Sequence, residues 1–120
     1  NYGHTFGHAI ENLTNLPHGI SVAHGMDISN YISFKNNFIT YKNYLEMRET
    51  LDLIIKHYKI KQININKMLH LIKKDKKSTK KNIRVILTKG IGKMLISKIN
   101  DKVNFMNDLI EYCHKYKIKI

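Results

Sequence analysis

One proline, Pro17, stands between two stretches whose apolar residues recur at helical spacing, and that break constrains the fold most. Over residues 3–14 the apolar positions Phe6, Ala9, Ile10 and Leu13 predict a helix. Asn15-Leu16-Pro17 ends it, because proline cannot continue the hydrogen-bond ladder and biases its predecessor toward extended backbone. A second helix is predicted from His18 to about Phe38, with Ile20, Val22, Ala23, Met26, Ile28, Tyr31 and Ile32 as its apolar side. The chain can double back at the proline and lay the second helix against the first.

Further helices are predicted over 43–58, on the stripe Leu45, Met47, Leu51, Ile54 and Ile55, and over 64–74, on Ile65, Met68, Leu69 and Ile72. The pattern then changes. Ile83-Arg84-Val85-Ile86-Leu87 is rich in β-formers, and Met94-Leu95-Ile96-Ser97 follows after Lys89-Gly90-Ile91-Gly92, which predicts a small hairpin with a turn or bulge at the glycines. Asn100-Asp101 reads as a cap, followed by a final helix to about Tyr116. The expected fold is mainly α and multi-helical, with one small β-hairpin.

At 120 residues, 42 % hydrophobic and 25 % charged, the chain fits one small domain with its own core. That excludes a disordered tail, and a single cysteine, Cys113, excludes an intramolecular disulfide framework. Cys113 is expected in the core, and its solitude suits a reducing cytoplasm. No apolar run approaches the roughly 20 residues that cross a bilayer. Asn1-Tyr2-Gly3-His4 is neither a signal peptide nor a translation start, so a piece of a longer protein is expected.

Lys and Arg exceed Asp and Glu by 21 − 9 = 12. The excess is uneven. Six lysines and one aspartate fill Lys73–Lys81, while the first 34 residues hold no lysine or arginine. Such a field favours anionic partners. Without Trp, aromatic–basic interleaving or zinc-finger spacing, nucleic acid is not the expected partner, and a solvated basic loop accounts equally for the run.

Three of the seven histidines form a pattern. His4 and His8 are four apart and share one helix face, and His18 follows the proline break where the chain returns toward that face. Two imidazoles at this spacing plus a third from the next helix suit a divalent metal with an open position for water or substrate. The same spacing also arises on helix faces that bind nothing. Glycines flank each histidine (Gly3, Gly7 and Gly19), and glycine inside a helix points to the close approach of another backbone or a ligand. His24, His57, His70 and His114 lack partner spacing and are expected on the surface.

The string Asn1-Tyr2-Gly3-His4-Thr5-Phe6-Gly7-His8-Ala9-Ile10-Glu11 resembles the 3-dehydroquinate synthases and their sugar-phosphate cyclase relatives, which read Asn-x-Gly-His-Ser/Thr-x-Gly-His-Ala-Ile/Leu-Glu. Where that family has His-Gly-Glu-Ala-Val-Ala-x-Gly-Met, this chain has His18-Gly19-Ile20-Ser21-Val22-Ala23-His24-Gly25-Met26. The family's later Asp-Lys-Lys, Arg-x-Val-Leu and Gly-Ile-Gly stretches correspond to Asp75-Lys76-Lys77, Arg84-Val85-Ile86-Leu87 and Gly90-Ile91-Gly92.

The resemblance implies the helical C-terminal domain of a dehydroquinate synthase-like enzyme (an α/β half plus an all-α half), with residues 1–120 as the metal- and substrate-binding part and an NAD-binding N-terminal domain elsewhere. It implies a divalent metal, zinc or else cobalt, on His4 and His18, with a glutamate ligand upstream. His8 would be the catalytic histidine that helps proton transfer near the leaving phosphate. Asn1, Lys76 and Lys77 would contact substrate, a seven-carbon sugar phosphate. A cytoplasmic homodimer is implied, without membrane partners. Ile20 departs from the family's glutamate, and an apolar side chain can neither accept a proton nor bond a ligand; Lys81 departs from a turn glycine. The Pro-His-Gly wording at 17–19 is shared with iron- or zinc-dependent alcohol and glycerol dehydrogenases of the same architecture. The other readings are therefore a cyclase making a cyclitol (2-deoxy-scyllo-inosose or valiolone type), such a dehydrogenase, and a basic helical nucleic-acid module. A chain of this kind lacks the cofactor domain and one ligand, so alone it is expected to be inactive.

Overall fold

The computed structural model describes residues 2–74, 83–90, 93–99 and 102–120. Five helices and a two-stranded hairpin follow in the order α1 (His4–Leu13), α2 (His18–Lys35), α3 (Tyr41–Ile55), α4 (Ile65–Lys74), β1 (Ile83–Gly90), β2 (Lys93–Ile99) and α5 (Lys102–Lys115). The expected elements are all present, with ends moved by a few residues. The Asn100-Asp101 cap and the Lys81 departure lie outside the described residues.

α1 stops at Thr14, whose backbone is extended and whose hydroxyl donates 2.8 Å to the Ile10 carbonyl while accepting the Leu16 N–H at 3.2 Å. Pro17 then sits just before the first helical residue of α2, where its fixed φ suits the start of a helix. The two helices pack closely because glycines face each other. A Cβ built on Gly25 would stand 2.2 Å from the Gly3 carbonyl oxygen and 2.5 Å from the Gly7 nitrogen. Gly3 itself holds φ +80°, a conformation that costs glycine little. The flanking glycines at 3 and 7 thus serve backbone approach, as their spacing suggested, whereas Gly19 faces open space.

α2 is the central helix and packs against α1, α3, α5 and β1. It is buried nearly all round, including Ser21, Asp27, Ser29, Asn30 and Ser33, so the one-sided apolar stripe expected for it is incomplete. Its small polar residues allow close neighbours and bond locally. Ser33 donates 2.7 Å to the Ser29 carbonyl and accepts the Thr88 N–H of β1 at 2.9 Å. β1 and β2 pair antiparallel with Val85 opposite Ser97 and Leu87 opposite Leu95, and the register slips between Thr88 and Gly90, the bulge the glycines suggested.

α3 opens on a capping box between Thr40 and Asn43. Its buried residues are Tyr44, Leu51 and Ile55, not the full expected stripe: Leu45 and Ile54 remain 43 % and 46 % exposed. Tyr44 takes the inner position because its hydroxyl has polar partners inside the core. Asp27, fully buried on α2, accepts from Arg48 Nη1, from the Tyr112 hydroxyl at 2.5 Å and from the Tyr44 hydroxyl at 3.3 Å. Arg48 also lies over the Tyr116 ring, 3.9 Å from its centroid. Burial pushes the Asp27 carboxyl above the usual carboxylate range, while Arg48 and the hydroxyls pull the other way.

Arg48→Met is expected to cost about 3 kcal/mol at pH 7, because it leaves a buried carboxylate without its counter-charge. Urea unfolding measures the loss. The gap to the wild type should narrow as pH falls toward about 4, since losing Arg48 raises the folded pKa of Asp27 further and a protonated Asp27 needs no cation. A gap independent of pH would mean that Arg48 acts by packing alone.

Cys113 is buried as expected, with its thiol pushed up to about 11 by burial. Among the described residues no helix is long and apolar enough to cross a membrane.

Candidate metal centre

The hairpin of α1 and α2 gathers the three patterned histidines. His4 and His8 lie one turn apart on α1, and His18 is the first residue of α2, facing the last turns of α1. Ring centroids are separated by 5.6 Å for His4–His8, 6.1 Å for His4–His18 and 6.2 Å for His8–His18. Two imidazoles on one tetrahedral ion, with metal–nitrogen bonds of about 2.0–2.1 Å, hold their ring centroids roughly 5 Å apart. The His4–His18 separation of 6.1 Å is thus within about 1 Å of that spacing.

Hydrogen bonding distinguishes the three. His18 Nδ1 lies 2.9 Å from Glu11 Oε2, and His4 Nδ1 lies 3.3 Å from the Tyr2 carbonyl oxygen. Both partners accept, so in the neutral ring the proton sits on Nδ1 and the lone pair on Nε2, the arrangement in which a histidine binds metal. His8 is exposed and its ring has no such acceptor among the described residues. The donor set of His4 and His18 thus fits a borderline cation such as zinc or cobalt. Among the described residues no group of three His, Cys, Asp or Glu side chains is arranged as a metal site.

Asn1, Lys76 and Lys77 lie outside the described residues, and so does most of the lysine run; Lys73 and Lys74 end α4, exposed. His24 corrects an expectation. It is only 5 % exposed, not on the surface, and its Nε2 lies 2.7 Å from the Tyr58 carbonyl oxygen. Burial lowers its pKa against the pull of that carbonyl and of Asp27. The Asp27–Arg48–tyrosine cluster was not expected at all. Its one signal is that Asp27 is the only acidic residue between His18 and Phe34, isolated in an apolar stretch.

The 3-dehydroquinate synthase C-terminal family matches residues 1–78. This chain is a member of it. The 3-dehydroquinate synthase of Helicobacter pylori (strain P12) is 45 % identical over 98 residues, covering 77 % of this chain and 28 % of that enzyme. That of Dictyoglomus turgidum is 36 % identical over 107 residues, covering 85 % and 30 %. A crystal structure of 2-deoxy-scyllo-inosose synthase complexed with carbaglucose-6-phosphate, NAD+ and Co2+ shares the fold, with a TM-score of 0.71 and 22 % identity over 91 % of this chain and 33 % of that one. A second structure of 2-deoxy-scyllo-inosose synthase gives 0.70 and 24 %. The chain therefore spans about a third or less of the proteins it matches. Membership in the 3-dehydroquinate synthase family and the mainly helical fold with its hairpin are as the sequence implied.

Proposed function

We propose that this chain is the helical metal- and substrate-binding domain of an NAD- and metal-dependent sugar-phosphate cyclase of the 3-dehydroquinate synthase type, acting on the seven-carbon sugar phosphate DAHP in the cytoplasm. The observation that carries the proposal is the juxtaposition of His4 and His18, each with Nδ1 against an acceptor. In this reading His4 and His18 hold the cation, the third ligand is a glutamate upstream, and the NAD-binding domain and a second subunit complete the enzyme. A divalent cation there would stabilise negative charge developing on substrate oxygens.

The chain's own residues bind and orient. His8, exposed beside the rings of His4 and His18, would accept or donate a proton near the departing phosphate, a task that suits an imidazole. Asn1 would fix substrate hydroxyls, and Lys76 and Lys77 would hold the anionic groups, where fixed cations stabilise the charge that develops as phosphate leaves. NAD+ bound by the other domain would supply the hydride chemistry.

Ile20 favours a second reading with the same chemistry. It lies half-buried in the first turn of α2, where the family's glutamate would stand, and its apolar side chain can neither accept a proton nor bond a ligand. A cyclase acting on another sugar phosphate and making a cyclitol fits that change.

Phosphate release by the full-length protein separates these readings. NAD+-dependent release from DAHP is expected, at a rate at least ten times that from glucose 6-phosphate. Release from glucose 6-phosphate alone would assign the second reading, and release from neither would contradict a cyclase on these substrates.

A further inference from the structure

The contact between Glu11 and His18 crosses from one helix to the next. Glu11 lies in the last turn of α1 and His18 opens α2, with the four residues 14–17 between the helices. Glu11 Oε2 is 2.9 Å from His18 Nδ1, and both side chains are substantially exposed, at 38 % and 58 %. Exposed pairs of this kind contribute little to stability, so holding the fold is a poor account of the contact. Orientation is a better one. A carboxylate only accepts hydrogen bonds, so it stabilises the neutral imidazole tautomer with the proton on Nδ1 and the lone pair on Nε2. It also fixes the ring's rotation about its side-chain bonds, in a residue that little packing restrains.

We infer that Glu11 is a positioning residue that sets the tautomer and aim of His18 for metal binding. The inference rests on the proposed function, in which His18 is a ligand, and it assigns Glu11 no contact with metal or substrate. Glutamine at this position keeps an accepting oxygen without the charge, and alanine keeps neither. A partner behind a ligand histidine typically accounts for 10–100-fold in metal affinity. Glu11→Ala is therefore expected to weaken metal binding by about that factor, and Glu11→Gln by less.

Two measurements on the full-length protein test this. In the metal-free protein labelled with 15N-histidine, at about pH 8 where an ordinary imidazole is neutral, the ring nitrogen shifts of His18 report its tautomer. The wild type is expected to carry the proton on Nδ1, Glu11→Ala to shift toward the Nε2–H form, and Glu11→Gln to retain the wild-type form in part. A cobalt titration followed by visible absorbance then gives affinities for the same three proteins. An unchanged His18 tautomer in Glu11→Ala, or cobalt affinity equal to wild type in a variant whose tautomer has moved, would overturn the role of Glu11. Failure of the wild type itself to bind cobalt would instead remove the metal reading beneath it, and the tautomer measurement would still stand on its own.

Discussion

Gly25→Ala is expected to destabilise the chain by about 3 kcal/mol and to disturb the histidine cluster with it. The added Cβ would lie 2.2 Å from the Gly3 carbonyl oxygen, 2.5 Å from the Gly7 nitrogen and 2.9 Å from the Gly7 Cα. All three are backbone atoms of the other helix or its first turn, so no side-chain rotation relieves the clash. α1 and α2 would have to part by roughly 1 Å to restore contacts near the ordinary 3.5 Å separation. Overpacking of this kind costs about 1–3 kcal/mol and more where backbone must move, against about 1 kcal/mol gained from better helix propensity. A typical domain has only about 5–15 kcal/mol in all.

Gly19→Ala is the matched control, also helical and with nothing within 4 Å of its built Cβ; it should leave stability unchanged or raise it by up to about 1 kcal/mol. Urea midpoints of the two variants decide the matter. Equal midpoints would mean that the helices do not meet through these glycines. The link to function is direct, because parting the helices moves His18 away from His4 and Glu11.

Local regularities of the sequence were the parts most easily read. Of the α1 stripe Phe6, Ala9 and Ile10 are buried and Leu13 is half-buried, and of the α4 stripe Ile65, Met68 and Ile72 are buried and Leu69 is half-buried. The switch from helical to strand pattern at Ile83 marks β1 correctly, since β-formers Ile83, Val85, Ile86 and Leu87 cluster there with no proline among them. α2 resisted the same treatment. It packs on four elements, so burial spreads around its circumference and period carries no information about which face matters.

α3 misled for another reason. Tyr44 displaces Leu45 from the inner face because its hydroxyl reaches Asp27 and the Tyr116 hydroxyl, a long-range arrangement that spacing along one helix cannot reveal. His24 is buried by the same kind of tertiary contact, through a carbonyl 34 residues away. In the site, the approach of His4, His8 and His18 was legible because it needs only a helix, a proline break and a return. The Glu11–His18 contact was not, because it depends on how far the glycines let the two helices close.

His4 and His18, and not His8, are expected to bind one divalent cation. Metal content after dialysis against a mild chelator, measured on the full-length protein and on His4→Ala, His18→Ala and His8→Ala, decides whether they do. The wild type and His8→Ala are expected to keep about one zinc or cobalt per subunit, with His8→Ala losing turnover by a factor on the order of 100 as a proton-transfer group does. His4→Ala and His18→Ala are expected to fall to background metal and to lose turnover, since each removes one of the three protein ligands of the proposed site. Equal retention in all three variants, or loss in His8→Ala alone, would contradict that assignment.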